Sequence, residues 1–221
     1  GLGIVSLGCF VNVLKPIMVN SWMIKDALPV DKIIQGNTLQ VLKTFPDDCI
    51  DCIITSPPYW GLRDYGIEGQ IGLEPTLDLY LDHLFEIMKE LKRVLKPTGV
   101  IFWDHGDCYL SHRDWSYSDI PLKKELGKKN KQNAINPKCM ALQNYRFILH
   151  CIDELKLILR NIIIWYKPNH MPSSVRDRFT NAYEPIFMLT KNKRYWFDLD
   201  AVRVPHSETT KERCKYPVNA F

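Results

Sequence analysis

Glycine is scarce in this chain, with 11 in 221 residues and none after Gly127. The second half therefore has no glycine turn between strand and helix, the device that lets backbone approach a phosphate or dinucleotide. Gly1-Leu2-Gly3 has no strand before it and cannot take that role. Long apolar runs are missing too. Residues 2–19 are apolar, but Lys15 and Pro16 interrupt them, and a signal peptide or membrane helix would need a cleaner run or a basic front end. The seven cysteines follow no regular spacing, which argues against a disulfide framework and fits reduced thiols in a cytosol. Cys49-Ile50-Asp51-Cys52 is a lone C-x-x-C with no second pair to answer it, so it reads as core packing before zinc. No metal constellation surrounds His105, which reads as a local residue and not a ligand. Neither sign of charge dominates: the net charge of +4 permits nucleic-acid binding without demanding it.

What composition supplies is a core. Hydrophobic residues make up 46% and charged residues 24%, the balance of an ordinary globular domain, and 221 residues suffice for one. The rest of the chain is arranged around Ile53-Ile54-Thr55-Ser56-Pro57-Pro58-Tyr59-Trp60. The apolar run 50–54 reads as a buried strand. Two prolines end it, because they bring no N–H to a central ladder. Ser56 precedes a proline and is pushed to an extended backbone. The product is a rigid corner at the carboxyl end of a strand, where ligands sit in open α/β sheets. It presents a hydroxyl, outward carbonyls and aromatic faces. Such a set suits a planar ring carrying an amino group: the oxygens accept its N–H bonds while Tyr59 stacks on its face. A plain strand-ending turn with a core tyrosine is the alternative.

Around this corner the pattern alternates. Residues 31–37 read as a short strand and turn, and 38–44 as a helix. With the corner strand they form a β-α-β unit. Gly61, Gly66, Gly69 and Gly72 crowd the loop after the corner, which is expected to be mobile and able to close. Residues 76–95 are the clearest helix, with Thr76 as N-cap and Leu77, Leu81, Leu84, Leu91 and Leu95 on one face. Strand 100–103 follows and ends at Asp104-His105-Gly106-Asp107. Residues 111–138 are polar, with Lys123, Lys124, Lys128, Lys129 and Lys131 forming a basic cluster that is either a solvated loop or a phosphate contact. A second amphipathic helix is expected over 140–160, strands over 161–166 and 185–190, and a short strand or hairpin at Tyr195-Trp196-Phe197.

The motif Ile54-Thr55-Ser56-Pro57-Pro58-Tyr59 resembles that of the site-specific DNA amino-methyltransferases, in the Ser-Pro-Pro-Tyr form typical of cytosine-N4 enzymes. The continuation Trp60-Gly61-Leu62-Arg63-Asp64-Tyr65-Gly66 and Gly69-Gln70-Ile71-Gly72-Leu73-Glu74 is similar to one branch of that family. So are the Lys-Pro-x-Gly end of the first long helix, the segment Ile162 to Asn169 around Trp165 and Lys167-Pro168, and the Arg176-Asp177-Arg178 turn. The resemblance covers about residues 32–204. It implies an α/β, Rossmann-like sheet of S-adenosylmethionine-dependent methyltransferase type with flanking helices, incomplete at the C-terminus. The order is the permuted one, with the catalytic motif before the cofactor loop. Residues 1–22 are expected to be a non-native or poorly ordered extension, 23–204 the catalytic part, and 205–221 the start of a truncated region.

The same resemblance implies site-specific methyl transfer from S-adenosylmethionine to the N4 amine of cytosine in double-stranded DNA, with the target base flipped out. A cognate restriction nuclease is the implied partner, in the cytoplasm of a prokaryote or encoded by a phage, with no membrane and no metal. Ser56, Pro57, Pro58 and Tyr59 take the catalytic positions. Asn37, Thr55 and Ser56 take cofactor positions, although the family usually has Asp where Asn37 stands. Trp60, Arg63, Lys128, Lys129, Lys167, Arg176 and Arg178 are the DNA-binding candidates. Adenine-N6 methylation is the nearest alternative, usually with Asp or Asn at position 56. A DNA-binding fragment that is inactive for want of the glycine loop is another. Carbon-5 chemistry has no candidate, because no cysteine closely follows the corner.

Overall fold

A computed structural model describes residues 33–110 and 138–213, the strand backbones at 3–6 and 10–13, and residues 31, 136 and 215. Its centre is a four-stranded sheet. Strand β4 (Ile50–Thr55) runs parallel to β5 (Leu95–Asp104), β5 pairs antiparallel with β7 (Tyr183–Thr190), and β7 pairs antiparallel with the edge strand β6 (Ile158–Tyr166). The register sets Thr55 beside Trp103 and Trp103 beside Phe187. The carboxyl ends of β4 and β5 thus meet the start of β7 along one edge. Strands β1 (Gly3–Ser6), β2 (Phe10–Val13) and β3 (Ile33–Ile34) form a separate antiparallel sheet.

The crossover from β4 to β5 is α2 (Leu77–Val94). Its start is local chemistry: the Thr76 hydroxyl accepts from Leu79 N at 3.2 Å, and Asp78 sits in the first turn. Its buried stripe includes Leu77, Tyr80, Leu84, Met88, Leu91 and Val94. Arg93 in the last turn donates to the carbonyls of Leu42 and Phe45, joining α2 to the end of α1 (Thr38–Lys43). The core beneath contains Trp103 stacked on Phe147 at 4.8 Å, with Phe187, Ile101 and Leu189. Cys49 and Cys52 belong to this core, and burial raises both thiols to about 11.

Two expected elements differ. The second long helix is α3 (Gln143–Leu155), shorter than 140–160. Lys156 turns left-handed at φ 54° and stops it, and Ile158 and Leu159 pair with Thr190 and Leu189. Apolar residues that continue the helical stripe are taken by the sheet. Tyr195-Trp196-Phe197 is no strand: Trp196 N donates to Thr98 O at 3.0 Å, and α4 (Leu199–Val202) and α5 (Glu208–Arg213) follow. Among the described residues no helix is long and apolar enough to cross a membrane.

Candidate active site

The corner stands where the register predicts, at the edge shared by β4, β5 and β7. Ser56, Pro57, Pro58 and Tyr59 line a cavity of about 250 Å³ together with Leu62, Arg63, Tyr65 and Glu184. All four catalytic candidates therefore converge. The Tyr59 hydroxyl hydrogen-bonds with the Ser56 side chain and the Gly106 backbone, while burial drives its pKa well above the ordinary phenol value. Gly106 must lack a side chain for this packing, since a Cβ there would lie 2.6 Å from Tyr59 Cε2. The Pro58 carbonyl accepts from the Tyr80 hydroxyl at 2.9 Å.

The glycine loop after the corner is cross-tied. Gly61 N donates to Gly72 O at 2.7 Å. The buried Glu74 carboxylate accepts from Gly72 N at 2.8 Å and meets His83 Nδ1 at 2.9 Å. Gly72 has φ +99°, and a Cβ on it would stand 3.1 Å from Tyr59 O. Trp60, expected to face DNA, is instead 7% exposed, with its indole N–H donated to Glu74 O at 2.9 Å. Its apolar area and single donor are both satisfied inside the domain.

A carboxylate pair, unforeseen in sequence, lies at the edge. Glu184 at the start of β7 lines the cavity and pairs with Lys167 at 2.6 Å. Lys167 also sits 4.8 Å from the centre of the Trp165 ring. Asp104 ends β5. Burial first, then the charge of Glu184, raise its pKa to about 6, with Lys167 opposing. Its Oδ1 is buried without a partner among the described residues. Nothing local in the sequence marks Glu184, because the pairing of β7 with β5 and β6 brings it here.

The other candidates scatter. Arg63 lies on the cavity and Lys167 beside it. The Arg178 guanidinium stacks 3.8 Å over Tyr109, and Arg176 is exposed. Asp177 pairs with Lys138 at 2.7 Å. Lys128 and Lys129 lie outside the described residues. Thr55 is buried at the end of β4. Asn37 lies in a second cavity, of about 360 Å³, with Ile34, Gly36, Gln40, Val41, Thr44 and Phe45, and this cavity shares no residue with the corner. The Asn37 side-chain oxygen caps α1 by accepting from Gln40 N at 3.2 Å.

With this geometry in view, comparison with known proteins is informative. The profile of a family described as DNA methylase matches residues 50–219. The Type II methyltransferase M.SfiI of Streptomyces fimbriatus is 40% identical over 171 residues, which are 77% of this chain and 38% of that protein. The Type II methyltransferase M.Cfr9I of Citrobacter freundii is 41% identical over 172 residues, 76% of this chain and 57% of that protein. The chain thus spans between about a third and three-fifths of the length of these curated relatives. A solved structure of PvuII DNA methyltransferase (cytosine-N4-specific) shares the fold. Its TM-score is 0.54 at 20% identity, with 76% of this chain and 51% of that chain covered.

Proposed function

The chain belongs to the N6/N4 DNA methylase family, and from that premise we propose that it is the amine-binding part of a Type II enzyme that methylates DNA. The acceptor is the exocyclic N4 amine of cytosine, and the methyl donor is S-adenosylmethionine. The observation that carries this reading is the convergence of Ser56, Pro57, Pro58 and Tyr59 on one cavity at the sheet edge. Double-stranded DNA with the target base turned out of the stack, and a cognate restriction nuclease, are the partners the reading entails.

The chemistry follows from the amine. Its lone pair is delocalised into the ring, so it is a poor nucleophile. Oxygen acceptors at Ser56 and the Pro57 carbonyl draw its hydrogens out of the ring plane and localise the pair on nitrogen. Tyr59 stacks on the ring and excludes water from one face. Among the described residues no cysteine lines the cavity, which favours direct transfer to nitrogen over a covalent carbon-5 route. The Asn37 cavity, with the amides of Asn37 and Gln40, one hydroxyl and apolar walls, suits part of S-adenosylmethionine, and Asn37, Thr55 and Ser56 are the residues proposed to hold it. When bound, that cofactor supplies an electrophilic methyl group. Arg63 and Lys167 supply positive charge for phosphates beside the corner, and Arg176 and Arg178 are proposed to meet phosphates farther along the DNA.

Methylation of DNA by the full-length parent enzyme with labelled S-adenosylmethionine, followed by analysis of the released bases, tests the reading. N4-methylcytosine is expected. N6-methyladenine would move the substrate to the alternative base, and absence of any methylated base would overturn the function. Ser56→Ala should lower turnover on the order of 10²–10³-fold, as for other positioned electrostatic groups.

A further inference from the structure

Behind the corner runs a chain of hydrogen bonds in which every proton can be assigned. His105 follows directly on β5 and is fully buried. Trp103 Nε1 lies 3.3 Å from His105 Nδ1, the Tyr80 hydroxyl lies 3.0 Å from His105 Nε2, and the same hydroxyl lies 2.9 Å from the Pro58 carbonyl oxygen. An indole N–H only donates, so Nδ1 must accept. Burial lowers the pKa of His105 to about 3, so the ring is neutral and its one proton sits on Nε2. That proton goes to the Tyr80 oxygen. The phenol, held protonated by burial, gives its own to Pro58. The opposite tautomer would set two N–H groups against each other at Trp103 and draw the Tyr80 proton away from Pro58.

Both ends of this chain are anchored. Asn144 Nδ2 donates to His105 O at 2.9 Å, His105 N donates to Pro185 O at 3.3 Å, and Gln143 Nε2 donates to Gly106 O at 3.1 Å. The backbone that carries the imidazole is thus fixed to β7 and α3. At the other end, the Pro58 carbonyl is occupied by Tyr80, whereas among the described residues no N–H or O–H donates to the Pro57 carbonyl.

We propose that His105 and Tyr80 are positioning residues of the amine pocket. The Trp103–His105–Tyr80 chain locks the Pro58 carbonyl away from the ligand, holds Tyr59 against Gly106, and leaves the Pro57 carbonyl as the acceptor for the incoming amine. The choice of acceptor rests on the methyltransferase reading. The lock itself rests only on the geometry.

Long-range proton–nitrogen NMR of the histidine ring in the 221-residue chain tests the lock. A single Nε2–H tautomer is expected for His105, and an Nδ1–H ring or a tautomer mixture overturns it. His105→Leu should shift the Tyr59 amide resonance with the fold retained. His105→Gln, whose amide puts a donor near the place of Nε2, should restore it. Equal shifts in the two variants overturn positioning. Tyr80→Phe in the full-length parent enzyme should then lower kcat for methyl transfer by about 10–100-fold, with KM for DNA little changed, as expected for a displacement near 1 Å. An unchanged kcat in this variant overturns the role in the reaction. If the full-length parent enzyme transfers no methyl group while the tautomer and the glutamine rescue hold, the methyltransferase reading fails and the lock stands.

Discussion

Replacing Gly106 with alanine places a methyl group 2.6 Å from Tyr59 Cε2 and 3.1 Å from Cζ. Ordinary contact begins at 3.4 Å, so the tyrosine ring must retreat by about 0.8 Å, the difference from 2.6 Å. Gly106 is not left-handed, so the backbone tolerates alanine and the cost falls on the ring. Overpacking of this kind costs about 1–3 kcal/mol. The lost chain entropy of glycine returns about 0.4–1 kcal/mol. The net loss of about 1–2 kcal/mol should lower Tm by roughly 5 °C in a chain of this size. The effect on rate should be larger, because the displaced group would stack on the reacting base, and a shift near 1 Å costs on the order of 100-fold. Gly99→Ala is the control. Its Cβ would lie 2.6 Å from Leu95 Cδ1 and 2.9 Å from Asp51 O, a similar crowding in the middle of β5, away from the corner. Thermal melts of both variants, and steady-state methylation by the full-length parent enzyme carrying each, decide the matter. A similar loss of Tm in both, with kcat lost only in Gly106→Ala, is expected. Full kcat in a destabilised Gly106→Ala would show that the Tyr59 ring position does not govern the reaction.

Four further outcomes are expected. Tyr59→Ala in the full-length parent enzyme should cost activity more than stability, by the roughly 1–3 kcal/mol of a base stacked on an aromatic; unfolding with full turnover in the folded remainder would make Tyr59 a core residue only. His105, neutral in the fold with its pKa near 3 but near 6.5 when unfolded, contributes stability that is complete above pH 6.5. As pH falls from 6.5 toward 3, the unfolded chain binds the extra proton and stability drops by up to about 1.4 kcal/mol per pH unit. Melts of His105→Gln should show a shallower acid slope, and an equal slope would refute this assignment. Replacing Lys123, Lys124, Lys128, Lys129 and Lys131 with Gln should weaken DNA binding for all sequences and flatten its salt dependence, whereas an unchanged salt slope would remove the cluster from the interface. Calorimetric titration of this chain alone with S-adenosylmethionine should give binding weaker than micromolar, since it has no glycine turn after Gly127; micromolar binding at one site per chain would show that turn to be dispensable.

Features carried by consecutive residues are legible in the sequence by itself. The Pro-Pro stop after 50–54, the Thr76 cap with its apolar stripe, and the turn at Gly36-Asn37 are local effects of missing N–H groups, short-range caps and 3.6-residue periodicity. They suffice to place β4, α1, α2 and the Ser56–Tyr59 corner. What depends on pairing cannot be read this way. Ile158 and Leu159 fit a helical stripe and a strand equally well, and only β7 as a neighbour makes them strand. Trp60 is aromatic beside the corner in sequence, yet an acceptor 14 residues on, at Glu74, turns it inward. Glu184 reaches the cavity because an antiparallel hairpin returns there. His105, which reads as a local residue, gains its place from Tyr80, 25 residues earlier, and from α3, nearly 40 residues later. Hydrogen bonds and steric contacts act through space over a few ångströms, so the corner was decided by the sequence, and its supports by the tertiary structure.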